Sequence, residues 1–217
     1  MTTPTAPTAE IRANRVTRSL LGYGVLAGPV YVGVSLAQAL TRDGFEITRH
    51  AWSLLANGHL GWIQIANLVL AGLMVLAAAT GVRRAQPGHP WAGRLLAVFG
   101  ASLVAAGVLR ADPAMGFPVG TPQGPGSVSW HGVGHLAAGA VGFLCVAAAA
   151  WVLARRLPPG LAAYSRVSGA VFLLTFAGIA SGRGGAAVTL GFIAGVVVIF
   201  AWLAVVSIRL YRSLPAC

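Results

Sequence analysis

The sequence predicts an all-α integral membrane helical bundle with six transmembrane helices, and three observations carry that prediction. Apolar residues fall into six long runs, each near the ~20 residues that cross a hydrocarbon core of ~30 Å as a helix. Only 9% of the 217 residues are charged while 57% are hydrophobic, where a soluble domain carries roughly a quarter charged residues. Arginines crowd just outside the apolar runs, the place where topology signals belong. Helices are required because backbone groups in lipid must find their hydrogen bonds within the segment.

Taken in order, residues 1–18 are rich in Thr, Pro and Ala and read as a flexible cytoplasmic tail, with residues 19–217 forming the six-helix transmembrane domain. Arg12, Arg15 and Arg18 precede the first run, Leu20–Leu40. Its Ala37-Gln38-Ala39 resembles a signal-peptide cleavage site, but the run exceeds the ~7–15 residues of a signal core, so it reads as a retained anchor. The remaining runs are Leu60–Val82, Trp91–Leu109, Trp130–Ala154, Leu161–Ala180 and Ala186–Ile208. With the N-terminus inside, Arg12, Arg15, Arg18, Arg83, Arg84, Arg94, Arg155, Arg156, Arg166, Arg209 and Arg212 lie inside, and Arg42, Arg49, Arg110 and Arg183 outside. That asymmetry predicts a multi-pass cell-membrane protein with both termini cytoplasmic and the two longest connections outside. Gly24/Gly28, Gly178/Gly182 and Gly191/Gly195 are spaced by four, so they suit close helix contacts or a homo-oligomer through Gly-rich faces.

The net charge of +11 does not point to nucleic acid, because the basic residues flank spans and form no basic face or aromatic platform. Cys145 lies within a run and Cys217 is the last residue, without a CxxC or ligand companion, so both read as inert.

The long connections hold the unusual residues. In residues 41–59, Thr48 suits a helix cap and Asn57-Gly58 a helix end, with Trp52, Leu54 and Leu55 placed to lie on the membrane surface. Residues 110–129 hold four prolines and four glycines between 113 and 126, which excludes a helix and favours a fixed, turning path. Met115 and Phe117 suggest some packing, so this segment reads either as a lid over the bundle mouth or as a passive connector.

The stretches SLLANGHLGWIQIANLVLAGLMVLAAATGVRRA, GVLRADPAMGFPVGTP and SWHGVGHLAAG together resemble the bacterial domain-of-unknown-function 998 membrane family, from about Leu20 to Arg209. The resemblance implies a small multi-helix inner-membrane protein and implies no activity.

Candidate site residues gather at the outer face. His131 and His135, spaced by four at the start of the fourth run, share a helix face and could bind a metal with Asp112 or His50 as a third ligand. A bis-histidine haem would need His50 or His59 opposite them. The plainer reading has both histidines bonding neighbouring helices or the proline-rich loop. Arg110, Asp112 and Arg183 read either as interfacial snorkelling with an ion pair, or as a clamp for an anionic group such as a lipid phosphate. Gln64 and Asn67, three apart, read as interhelical glue or as the floor of an outward-open pocket. Trp62, Trp130 and Trp52 fit the interfacial aromatic belt.

Three functions follow for comparison: binding of a lipid or small amphiphile in a pocket open to the outer face; a membrane-embedded enzyme or metal/haem protein using outer-face His and Asp; and an assembly protein docking through Gly-rich faces. The first has most residues converging on it. The sequence is silent on ligand and cofactor.

Overall fold

The computed structural model describes residues 6–215. Six helices long and apolar enough to cross a membrane are present: α1 (Ala6–Thr41), α2 (Gly61–Ala85), α3 (Trp91–Val108), α4 (Trp130–Ala154), α5 (Pro159–Ala180) and α6 (Ala186–Ser213). A single 3-10 turn, Trp52–Ala56, lies between α1 and α2.

Each helix packs on its neighbours in the chain, and α1 closes the set by packing on α6. The result is a closed ring of six helices with an interior. Both termini, the α2–α3 turn and the α4–α5 turn meet at one end. There Arg18 donates to the Leu214 and Pro215 carbonyls at 3.0 and 2.9 Å, and Arg156 meets His89 at 3.1 Å. The two long connections cover the opposite end, called the loop end below.

Residues 6–18, expected as a tail, continue α1 as helix. Ala, Glu and Arg are good helix formers, and the ends of α2 and α6 supply partners: Arg84 Nε donates to Thr17 Oγ1 at 3.0 Å. Residues 1–5, Ala216 and Cys217 lie outside the described residues. With 36 residues at ~1.5 Å rise each, α1 outruns the hydrocarbon core, so its first turns extend beyond the membrane. Pro29 sits inside it, as membrane helices tolerate where neighbours re-satisfy the freed carbonyl.

Small residues set the helix spacing. A Cβ built on Gly100 would stand 2.8 Å from the Gly72 carbonyl oxygen, and one on Gly72 would stand 2.6 Å from that of Gly100, so α2 and α3 cross backbone to backbone. Gly24 abuts Ser207, Gly28 abuts Phe200 and Gly195 abuts Thr175, which commits these three glycines to contacts within the chain. Gly182 and Gly191 have nothing within 4 Å. The outward faces are apolar: Leu174 and Leu136 are 73% and 71% exposed, as a lipid-facing surface requires. The protein is therefore a multi-pass membrane protein in contact with lipid.

Candidate functional site

The loop end is a folded cap. Arg42, just past α1, donates to the Leu55 carbonyl at 2.6 Å and the Asn57 carbonyl at 2.7 Å, and its guanidinium lies 5.0 Å from the centre of the Phe117 ring. Those carbonyls end the 3-10 turn, so one planar cation closes it. Burial pushes the Arg42 pKa down from its ordinary value. Asn57 Nδ2 crosses to the Ala111 carbonyl at 3.1 Å, tying the first connection to the second.

His50 is buried at the centre of this cap, with both ring nitrogens occupied. The Glu46 amide donates to Nδ1 at 2.9 Å, so Nδ1 is unprotonated and Nε2–H donates to the Met115 carbonyl at 3.0 Å. Its ring centre lies 5.2 Å from that of Phe45 and 5.6 Å from that of Phe117. The proline-rich segment is held by its own backbone bonds, Met115 N to Gly124 O at 2.8 Å and Gly116 N to Pro122 O at 3.1 Å. Gly116, at φ 88°, turns the chain in a region closed to most side chains.

Thr48 caps no helix: the 3-10 turn starts after Ala51 without a side-chain cap, and Asn57 ends it. Trp52 is 5% exposed and turns inward, away from the membrane surface. The reason is Arg42, whose grip on Leu55 and Asn57 folds the segment back onto the bundle. Trp62 and Trp130 are 65% and 72% exposed, in the manner of belt residues.

Asp112 caps α4. Its carboxylate accepts from the Ser129 amide at 2.7 Å and from the Ser129 hydroxyl, and Ser129 Oγ accepts from the Gly132 amide at 3.1 Å. The Ser129 hydroxyl first, and then its amide, hold the Asp112 carboxyl below its usual range. A negative charge here also favours the helix N-terminus. A side chain on Gly132 would collide with this carboxylate.

His135, buried on the second turn of α4, places Nδ1 2.9 Å from the Ala106 carbonyl and 3.0 Å from that of Leu109. Carbonyls only accept, so Nδ1 carries the proton and satisfies the unpaired carbonyls at the end of α3. In the neutral form of the ring Nε2 then keeps a lone pair. His131 is half-buried against the Trp130 ring. Arg110 and Arg183 are exposed, and the Arg183 amide donates to Ser181 Oγ at 3.3 Å. Among the described residues no three His, Cys, Asp or Glu side chains gather where they could hold a metal ion.

Gln64 and Asn67 lie in a buried polar seam between α1 and α2. Gln38 donates to Gln64 Oε1 at 2.8 Å, Gln64 Nε2 donates to Ser35 Oγ at 3.0 Å, and Asn67 Nδ2 donates to the Tyr31 carbonyl at 3.0 Å.

Inside the ring, towards the loop end, is a cavity of about 360 Å³. Tyr31, Trp52 and six of the eight phenylalanines (Phe99, Phe143, Phe172, Phe176, Phe192 and Phe200) line it, with Ser53, Ser102 and His135 as further polar residues. No Arg, Lys, Asp or Glu contributes to the wall. Trp52 Nε1–H is buried without an acceptor among the described residues. Of the residues expected at the site, only His135 reaches this cavity; Arg110, Asp112, His131, Arg183, Gln64, Asn67, Trp130 and His50 belong to the cap, the seam or the surface. Trp52 was expected at the membrane interface and instead lines the cavity, and the phenylalanines there carry no local signal beyond Phe172 and Phe176 at i, i+4.

No curated protein and no solved structure matches this chain. The profile of one family, described as protein of unknown function (DUF998), matches residues 25–209. With the greater part of the chain covered, and with the ring of spans already described, the chain belongs to the DUF998 family of proteins of unknown function.

Proposed function

We propose that the protein binds a lipid or small amphiphile in the cavity within the ring. The observation that carries this reading is a space of about 360 Å³ inside the ring, walled by phenylalanines of four helices and by Trp52. The volume lies in the range of small-molecule sites, roughly 300–1,000 Å³. The anion clamp of Arg110, Asp112 and Arg183 finds no support, since Asp112 is engaged with Ser129 and both arginines are exposed. Catalysis by an Asp112–histidine pair lacks support for the same reason.

Leu103 lines the cavity from α3 and is 5% exposed. Native mass spectrometry of the protein extracted in mild detergent is expected to find one amphiphile per chain, and Leu103→Trp, which fills the space, to lower the bound fraction at least tenfold. An empty wild type, or an undiminished load in the variant, would overturn the reading.

The arginine asymmetry further supports a cell-membrane orientation with the loop end outside and both termini cytoplasmic. A membrane-impermeant thiol reagent applied from outside is then expected to label a cysteine placed at Gln123 and to spare one placed at Arg84. The opposite pattern would invert the topology.

A further inference from the structure

Resting on the cavity reading above, we infer the class of ligand and its route: a single-chain amphiphile with an uncharged hydroxyl headgroup, entering sideways from the bilayer between the loop-end halves of α4 and α5.

The route follows from how these two helices pack. Towards the end that holds the termini they are sealed. A Cβ on Gly169 of α5 would lie 3.2 Å from the Ala147 carbonyl oxygen and 3.3 Å from the Ala150 side chain, and Trp151 Nε1 donates to the Arg166 carbonyl at 3.1 Å. Towards the loop end no glycine contact joins them. A Cβ on Gly139 of α4 would meet only Phe143 of its own helix, at 3.8 Å, and one on Gly178 of α5 only Val188 of α6, also at 3.8 Å. Between these two regions Phe143 packs edge-on against Phe172 and Phe176, with ring centres 5.3 and 5.1 Å apart, and forms the floor of the gap. Leu136 and Ala180 both line the cavity and are exposed on the outside of the ring. A residue that is at once wall and surface marks a mouth, and this one faces lipid, while the cap of Arg42, His50 and Phe117 lies over the loop end.

The headgroup follows from the wall chemistry. An ionised phosphate or carboxylate in this space would be desolvated without a counter-charge, since the wall carries no Arg or Lys side chain. A hydroxyl, both donor and acceptor, suits the polar residues of the wall: His135, whose neutral ring offers the Nε2 lone pair as acceptor, and Ser53, whose hydroxyl donates or accepts. The volume is too small for both tails of a diacyl lipid. A single chain fits with its remainder trailing through the mouth into the membrane.

The test uses the full chain in phosphatidylcholine nanodiscs with a diazirine-bearing hexadecanol as photolabel. Labelling is expected to saturate, to map to α4 and α5, and to be displaced by hexadecanol at least tenfold more effectively than by hexadecyl sulfate, whose charge is fixed. Ser53→Ala deletes a hydroxyl of the wall and is expected to weaken hexadecanol about tenfold. Absence of saturable labelling by the alcohol and by a diazirine-bearing hexadecyl sulfate alike would remove the cavity reading itself. Saturable labelling in which the sulfate competes equally, or which maps away from α4 and α5, would leave the cavity reading standing and overturn this inference. The competition result decides the matter even if the Ser53 variant fails to fold.

Discussion

Gly100→Val is expected to leave no monodisperse protein after extraction in mild detergent, whereas Gly22→Ala is expected to behave as wild type or slightly better. At Gly100 the new side chain must displace the Gly72 carbonyl oxygen at 2.8 Å and the Leu76 backbone nitrogen at 3.0 Å. Neither is the free end of a side chain, so relief requires α2 and α3 to move apart. Overpacking of this kind costs about 1–3 kcal/mol, and more where backbone is the obstacle. Separation would also forfeit dispersion contacts along the crossing, and a membrane bundle has no hydrophobic effect between its helices to replace them. Gly22 lies on a helix with nothing within 4 Å of its Cβ position. There alanine gains about 0.5–1 kcal/mol of helix preference. Size-exclusion chromatography of the two variants side by side checks the contrast, and a monodisperse Gly100→Val would mean that this crossing does not limit stability.

Arg42→Ala is expected to be the most damaging single change in the cap, lowering stability by about 3 kcal/mol, or an apparent Tm shift of roughly 6–12 °C for a chain of this size. The guanidinium donates to two carbonyls at 2.6 and 2.7 Å and stacks on Phe117. Alanine would leave both carbonyls without that donor and remove the clamp that turns Trp52 inward. The loss should therefore extend to ligand retention, because Trp52 is part of the cavity wall. Arg42→Lys should recover only part, since an ammonium lacks the fork that spans two acceptors. A thermal unfolding scan with tryptophan emission follows both effects at once. An unchanged Tm in Arg42→Ala would show that the cap holds without the guanidinium, through the His50 and Asn57 hydrogen bonds and the packing of Phe45 and Phe117.

Much of the architecture was legible in the residues. Hydrophobicity adds along a run, so the spans are a local property, and their ends match the helices to within a few residues except for α1, which begins at Ala6. Gln64 and Asn67 share a face because helical periodicity makes them do so, and interhelical hydrogen bonding was one of the two roles expected of them. The proline-rich segment does follow a fixed path with Phe117 packed beneath it.

The cavity was not legible, and its residues show why. Phe99, Phe143 and Phe200 sit on three different helices, and nothing local distinguishes a phenylalanine facing the ring interior from one facing lipid. Asp112 is paired with Ser129, 17 residues away, where Arg110 two residues off looked the natural partner. His50 reports to Met115, 65 residues distant.

The sequence by itself determined that this chain crosses a membrane six times, with a polar, proline-rich end and small residues where helices touch. Those properties are sums or periodicities along the chain. The tertiary structure alone decided that the ring closes through α1 and α6, that the conspicuous polar residues are spent on capping and seams, and that the open space is aromatic. A buried polar group takes whichever partner the fold brings within about 3 Å, and a cavity is space that packing leaves unfilled; neither is a property of any local stretch of residues.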